Sequence, residues 1–199
     1  MAIVSDALSG EDNTLLEEIH KQIDGCARCD LSVGNTHYVP GMGTQSAEIV
    51  FVGEGPGKNE DLQGKPFVGA SGKFLDTLLG SIGLSRKDIY ITNVVKCRPP
   101  ENRDPLPEEI EACHDYLDAQ LLVINPKIVV TLGRYSLAKF LPGVKISEVH
   151  GKPKRRQSDG LVIFPCYHPA VALYNPSMRE VLKADFQLLA SLLTTLRAT

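Results

Sequence analysis

Three polar side chains stand where apolar runs end, and each could act on a bound molecule. Glu54 lies in the turn Gly53-Glu54-Gly55-Pro56-Gly57, directly after the apolar run 49–52. Asn93 interrupts the apolar run 89–95, and His168 follows the run 161–164 with Pro165 and Pro169 bracing it. A carboxylate held in a glycine turn can position water or face developing positive charge. A buried amide can read the donor–acceptor edge of a ligand. A histidine at a strand end can give or accept a proton or a hydrogen bond. Each has a bland alternative: a plain glycine-rich connection, an amide satisfied by neighbouring backbone, a packed lone histidine. What raises the functional reading is that all three occupy strand ends, where open α/β sheets place their sites. Phe67, between Gly64 and Gly69 and after Pro66, is either a core anchor or an aromatic platform for a planar ligand.

The glycine turn is neither the Gly-x-x-x-x-Gly-Lys-Ser/Thr phosphate loop nor the Gly-x-Gly-x-x-Gly dinucleotide loop. It marks a site without naming the ligand. Its glycines let the backbone approach a ligand closely, and Pro56 stiffens the turn.

The five cysteines are a second source of chemistry. Cys26 and Cys29 form a C-x2-C pair after a helix; Cys97 and Cys113 follow, and Cys166 sits near His168. The pair alone reads equally as a redox couple, half of a metal site or two unrelated thiols. Cys113 also fits a helix core, since free cysteine packs as a small hydrophobe. A disulfide framework is not expected in a cytosolic chain.

Alternating strands and helices position these residues. Residues 12–22 carry Leu15, Leu16 and Ile19 at helical spacing, and Gly25 ends that helix. Residues 35–46 read as loop, and 48–52 as the first strand. The central loop runs on through Gly69, and Ser71 is the expected N-cap of the next helix, with Phe74, Leu75, Leu78 and Leu79 inward. Strands are expected over 88–95, 127–132 and 161–164, and helices over 107–125, 134–140 and 177–196. Pro107 and the acidic first turn suit a helix start. The pattern predicts a single three-layer α/β/α domain, residues 1–199, around a central four-stranded, mainly parallel sheet, with residues 1–10 a frayed terminus.

Composition sets the outer bounds. The chain has 199 residues, 43% hydrophobic and 23% charged, with net charge −3 and pI about 6.0, ordinary for a globular protein. The acidic balance argues mildly against a nucleic-acid binder, but local basic clusters exist: Lys152, Lys154, Arg155 and Arg156, and Lys96, Arg98 and Arg103. Without a partner, each reads as a solvated loop. No apolar run matches a membrane span and no signal-peptide pattern opens the chain, so a cytoplasmic location and no membrane partner are the default.

Taken in order, Gly-Glu-Gly-Pro-Gly (53–57), Pro-Phe-Val-Gly (66–69), Ile-Thr-Asn-Val-Val-Lys-Cys-Arg-Pro-Pro (91–100) and His-Pro-Ala (168–170) resemble the family 4 uracil-DNA glycosylases, the iron–sulfur members of the uracil-DNA glycosylase superfamily. The resemblance spans Cys26 to the last helix. It implies base excision repair chemistry on uracil-containing DNA, single- or double-stranded, by a monomer associated with the nucleoid. It implies that Cys26, Cys29, Cys97 and Cys113 hold a structural 4Fe–4S cluster; four cysteines suit zinc as well. It implies that Phe67 stacks on uracil, that Asn93 pairs with its O4 and N3–H, and that His168 contacts O2. Glu54, with the backbone of Gly53 and Gly55, would position the attacking water. The segment Pro169, Ala170, Leu173, Tyr174 would enter the DNA minor groove with Leu173 as wedge, and Lys152, Lys154, Arg155 and Arg156 gain a reading as phosphate contacts.

Two departures accompany the resemblance. Many superfamily members carry an aspartate where Gly55 stands, and many family members an arginine where Tyr174 stands. They keep open a member that binds uracil-containing or damaged DNA without efficient excision. A third reading, a nucleotide-dependent small-molecule enzyme using the loop 53–57, lacks the phosphate-loop spacing.

Overall fold

The computed structural model describes residues 12–198; the expected frayed terminus lies outside the described residues. In chain order the elements are α1 (Asp12–Asp24), α2 (Leu31–Gly34), β1 (Met42–Gly43), β2 (Ile49–Gly53), α3 (Lys58–Gln63), α4 (Ala70–Ser81) and β3 (Tyr90–Asn93). A 3-10 turn (Pro100–Asn102) precedes α5 (Pro107–Ile124), β4 (Ile128–Leu132), α6 (Arg134–Phe140) and α7 (Ile146–Val149). The chain closes with β5 (Lys154–Arg155), β6 (Val162–Cys166), α8 (Val171–Tyr174) and α9 (Met178–Ala198).

The four expected strands β3, β2, β4 and β6 lie side by side and parallel. They are residues buried on both faces, which is why they read as apolar runs rather than alternations. Alternate strand residues feed two cores. Val50, Val52, Tyr90, Val129 and Ile163 meet α1 and α5 through Leu16, Ile19, Ile23, Cys113 and Leu117. Ile49, Phe51, Ile91, Val130 and Phe164 meet α4 and α9 through Leu75, Leu78, Leu182, Phe186 and Leu189. This is the three-layer α/β/α arrangement.

The sheet has six strands rather than four, because two short antiparallel edges were not legible. β1 pairs with β3 through Met42–Ile91, inside a segment read as loop, and β5 pairs with β6 through Lys154–Ile163, inside the basic run. Each edge is two residues long, too short to carry an alternating pattern. Helix α3 likewise falls within the expected central loop, because the glycines that flank it carry a turn signal. The start of α4 differs too: Gly69 is the N-cap and Ser71 lies inside the first turn. No described helix is long and apolar enough to cross a membrane.

The carboxyl ends of the four parallel strands share one edge, with Gly53 beside Asn93 and Leu132 beside Cys166 in register. From β2 the chain moves first to β3 on one side and later to β4 on the other. Such a reversal opens a crevice outside the strand ends, and Glu54, Asn93 and His168 all fall there.

Candidate active site

The turn after β2 stays zipped to the segment after β3. The Gly53 carbonyl accepts the Val94 N–H at 3.0 Å and the Glu54 carbonyl accepts the Val95 N–H at 3.1 Å. This fixes the backbone under Glu54. Gly55 sits so close to the segment after β3 that a Cβ there would lie 2.7 Å from Val95 Cγ2. A side chain at that position must displace the Val95 methyl, so an aspartate there is disfavoured by packing. Glu54 is half-buried. Desolvation pushes its carboxyl above the usual range, Asp104 adds to the rise, and Arg134 opposes it. The rise makes Glu54 a better base than a solvated carboxylate. Asp104 and Arg134 are ion-paired at the lip of the crevice.

Gly53, Asn93 and Phe67 converge. A Cβ on Gly53 would stand 2.3 Å from Asn93 Oδ1 and 2.9 Å from the Phe67 ring. The amide and the ring thus close over a backbone that must be glycine. Phe67 is buried and has φ 53°, a left-handed conformation rare for an aromatic residue. Its surroundings enforce it. Glu60 Oε1 accepts the N–H groups of Val68 and Gly69, each at 2.9 Å. Arg86 donates to the Phe67 and Pro66 carbonyls and is itself held by Asp76 at 2.6 Å. Gly72 completes the clamp, because a Cβ there would overlap the Phe67 carbonyl at 1.7 Å. Glu60 and Arg86 escaped the sequence reading; a charged residue in a loop carries no pattern that reveals which backbone it ties.

Phe67 stacks on His168 with ring centroids 5.4 Å apart and planes inclined by 28°. His168 Nδ1 accepts the Ala170 N–H at 3.2 Å. That contact makes Nδ1 the acceptor and leaves the proton on Nε2 of a neutral ring. Burial lowers the His168 pKa to about 4, against a small opposing pull from Glu60. At neutral pH His168 is therefore a neutral donor through Nε2–H. Asn93 lies 2% exposed, and its Oδ1 is buried with no hydrogen-bond partner. A buried acceptor left unmade costs about 1–3 kcal/mol. The crevice thus holds an idle acceptor, a neutral donor and a fixed aromatic ring, with a carboxyl group nearby.

Cys26, Cys29, Cys97 and Cys113 line one small pocket between α1, the strand-end segment 95–97 and α5, together with Tyr38, Lys96 and Tyr116. All are free thiols. Burial pushes the Cys29, Cys97 and Cys113 thiols up, and for Cys97 the other three sulfurs add to the rise. Tyr38 donates to the Cys26 carbonyl at 2.8 Å, fixing the C-x2-C turn. Among the described residues no group of three or more His, Cys, Asp or Glu is arranged to hold a metal ion. Cys166 lies outside this pocket, fully buried in the opposite core.

The basic clusters divide. Arg155 and Arg156 turn away from the crevice: Arg155 pairs with Val162 at the amino end of β6, and Arg156 is ion-paired to Asp159. Lys154 stands opposite Ile163, and Lys152 is exposed and bonds the Glu148 carbonyl at 2.9 Å. In the other cluster, the solvated-loop reading fails for Lys96, which is 1% exposed. After His168, Pro169 is buried, Leu173 is 41% exposed and Tyr174 88% exposed at the end of the short helix α8.

Comparison with known proteins agrees with this layout. Residues 40–192 match the family described as the uracil DNA glycosylase superfamily. The chain is 50% identical over 185 residues to a type-4 uracil-DNA glycosylase of Archaeoglobus fulgidus, covering 89% of this chain and 92% of that protein. It is 48% identical to that of Sulfurisphaera tokodaii, covering 90% and 86%, and 47% identical to that of Saccharolobus solfataricus, covering 86% and 83%. A chain whose strand-end crevice carries this constellation, and which matches these relatives over nearly their whole length, belongs to the uracil DNA glycosylase superfamily and within it to the type-4 branch.

Proposed function

We propose that this protein hydrolyses the N-glycosidic bond of deoxyuridine in DNA, releasing uracil and leaving an abasic site for base excision repair. The observation that carries the reading is Asn93 Oδ1, an acceptor buried without a partner beside a fixed aromatic ring. Uracil presents N3–H to such an acceptor and O4 to the amide donor, whereas cytosine reverses that pattern. A site built to pair one edge leaves buried groups unpaired with the other and rejects it strongly. The base cannot be reached inside a duplex, so the nucleotide is extruded into the crevice. Phe67 stacks on it there.

The chemistry follows from charge. As the bond breaks, uracil gains negative charge and the sugar gains positive charge. His168 Nε2–H, aimed at O2, stabilises the departing anion without transferring its proton, which is electrostatic catalysis by a preorganised donor. Glu54 faces the cationic sugar and orients the water that attacks it, and Gly53 and Gly55 supply backbone at that turn. Leu173 fills the space vacated by the base, with Pro169, Ala170 and Tyr174 around it. Lys152 and Lys154 offer phosphate contacts closer to the crevice than Arg155 and Arg156.

Cys26, Cys29, Cys97 and Cys113 fit a 4Fe–4S cluster. The donor set is all thiol, it surrounds one shielded pocket, and in a cluster each cysteine ties its own iron. Four thiolates would suit a single zinc ion as well, and the iron and zinc content of the purified protein separates the two. With all four cysteines as ligands, Cys26 and Cys29 would be tied through the cluster to Cys97 and to Cys113 on α5, a structural role.

The test is excision from a labelled oligonucleotide bearing one deoxyuridine, followed by alkaline cleavage. Product from the wild type and little from His168→Ala supports the reading. A metal-replete wild type that makes no product on single or double strands, yet binds uracil-containing DNA, would reduce it to recognition alone.

A further inference from the structure

Lys96 is buried to 1% exposure although it carries an ammonium group. Its Nζ donates to Thr92 Oγ1 at 2.7 Å, to the Asn93 carbonyl at 2.7 Å and to Gln120 Oε1 at 2.8 Å. All three of its protons are thereby used, and every acceptor is neutral. Gln120 is fixed in turn by the Pro40 carbonyl at 2.8 Å and Tyr90 Oη at 3.1 Å. The backbone end of the same residue faces the cysteines: it lies against Cys113 and helps line the four-cysteine pocket. A buried charge is costly unless opposite charge or good hydrogen bonds offset it. The neutral acceptors supply the hydrogen bonds. Four ligating thiolates would supply the negative charge.

We infer that Lys96 is a positioning residue that couples the cysteine pocket to Asn93, holding the Asn93 peptide so that its idle amide faces the base. This rests on the reading of Asn93 as the uracil-reading group. The logic is local. Asn93 is the last residue of β3, so no further strand residue fixes its carbonyl side, and the ammonium takes that place. Negative charge on the cysteine sulfurs favours the ammonium where it stands. Ligation at Cys97 and Cys113 and base recognition at Asn93 therefore share one anchor.

The experiment uses the full chain, purified with its iron content measured, as wild type, Lys96→Met, Asn93→Ala and the double variant. Three quantities are read: the single-turnover rate on a deoxyuridine oligonucleotide, affinity for an oligonucleotide with a stable abasic analogue, and the visible absorption of the metal centre. Lys96→Met should slow excision about 10–100-fold, the range for losing a group that orients a functional residue. In the Asn93→Ala background the same change should cost no more than about twofold, because coupled residues are non-additive. Abasic-DNA affinity should hold within about twofold in all variants, and the visible band of Lys96→Met should shift with iron retained. An equal loss of rate in both backgrounds, or none in either, overturns the inference. Lys96→Gln, which keeps a donor, runs the same cycle if the methionine variant does not fold. A wild type that excises nothing sinks the glycosylase reading itself; the coupling is then judged by the absorption band, and an identical band in wild type and Lys96→Met overturns it.

Discussion

Replacing Asn93 by leucine should make the protein more stable and less active. The two side chains have nearly the same shape, so the substitution removes the polar atoms without opening a cavity. The wild type holds Asn93 Oδ1 buried with no partner, and that desolvated acceptor costs about 1–3 kcal/mol. The backbone carbonyl of Asn93 keeps its bond from Lys96, so the strand end is not disturbed. The unfolding free energy should rise by up to that amount. For a chain of this size a kcal/mol moves the melting temperature by about 2–4 °C, so the expected rise is about 2–12 °C in a calorimetric or circular-dichroism melt. Uracil excision should fall by about 10²–10³, the scale for losing a preorganised polar contact to the reacting group. Opposite signs are the signature of a group kept for function at the expense of the fold. A leucine variant that melts lower and cuts uracil normally would refute the reasoning, because Asn93 would then be a satisfied structural amide.

Further consequences follow from the other groups. Asn93→Asp should impair uracil excision and admit some cytosine excision, since its acceptor pattern differs; a labelled cytosine oligonucleotide reads this. Gly55→Asp should destabilise the protein by about 1–3 kcal/mol through overpacking against Val95 and give no gain in rate, seen by melting and single-turnover assays side by side. The pH dependence has a definite sign. His168 titrates near 4 when folded against 6.5 when free, so between those values the unfolded chain binds the extra proton and stability falls as pH falls. The His168 contribution amounts to about 3 kcal/mol and should be lost in a His168→Phe denaturation series, leaving the slope of the same sign from His20, whose pKa burial also lowers. Excision should decline on the acid side as Glu54, raised by burial, takes up its proton, with no alkaline loss from His168, and Glu54→Gln should flatten that limb. Cys113→Ser should lose iron and melt lower than wild type; a fully stable, iron-loaded variant would remove Cys113 from the ligand set.

How much of this was legible depends on whether a residue's role is local. The four parallel strands and the long helices were readable because both strand faces are buried, so each strand is a short unbroken apolar run. The edges β1 and β5 were not, because two residues cannot show a period. Glu54, Asn93 and His168 were legible as polar residues ending apolar runs, and the sheet brings all three to one crevice. The roles of Glu60 and Arg86 were not, because each acts on backbone distant in sequence: Arg86 reaches back to the Phe67 carbonyl, and Glu60 reaches forward to Val68 and Gly69. The left-handed turn at Phe67 is the product of those two clamps and of Gly72, so no window of sequence around Phe67 contains its cause.

Lys96 shows the same limit from the other side. Its neighbours Arg98 and Arg103 are surface cations: Arg103 pairs with Glu109 at 2.6 Å and Arg98 bonds Asn102. By composition the three form one basic cluster. The strand geometry separates them, because β3 ends at Asn93 and the chain turns inward at Lys96 before Cys97 enters the thiol pocket. A charge that composition alone presents as solvated is thus a buried cation between two features the sequence presented as separate, the cysteines and Asn93. The acidic net charge carries the same lesson. Whether a chain of −3 binds a polyanion is decided by which cations face the crevice, and here Arg156 is neutralised by Asp159 while Lys152 stays exposed at the strand-end side. A Lys152 phosphate contact predicts that Lys152→Ala lowers the logarithmic salt slope by about one unit while Arg156→Ala leaves it unchanged. Equal slopes for both variants would move the DNA path off the Lys152 side of the crevice.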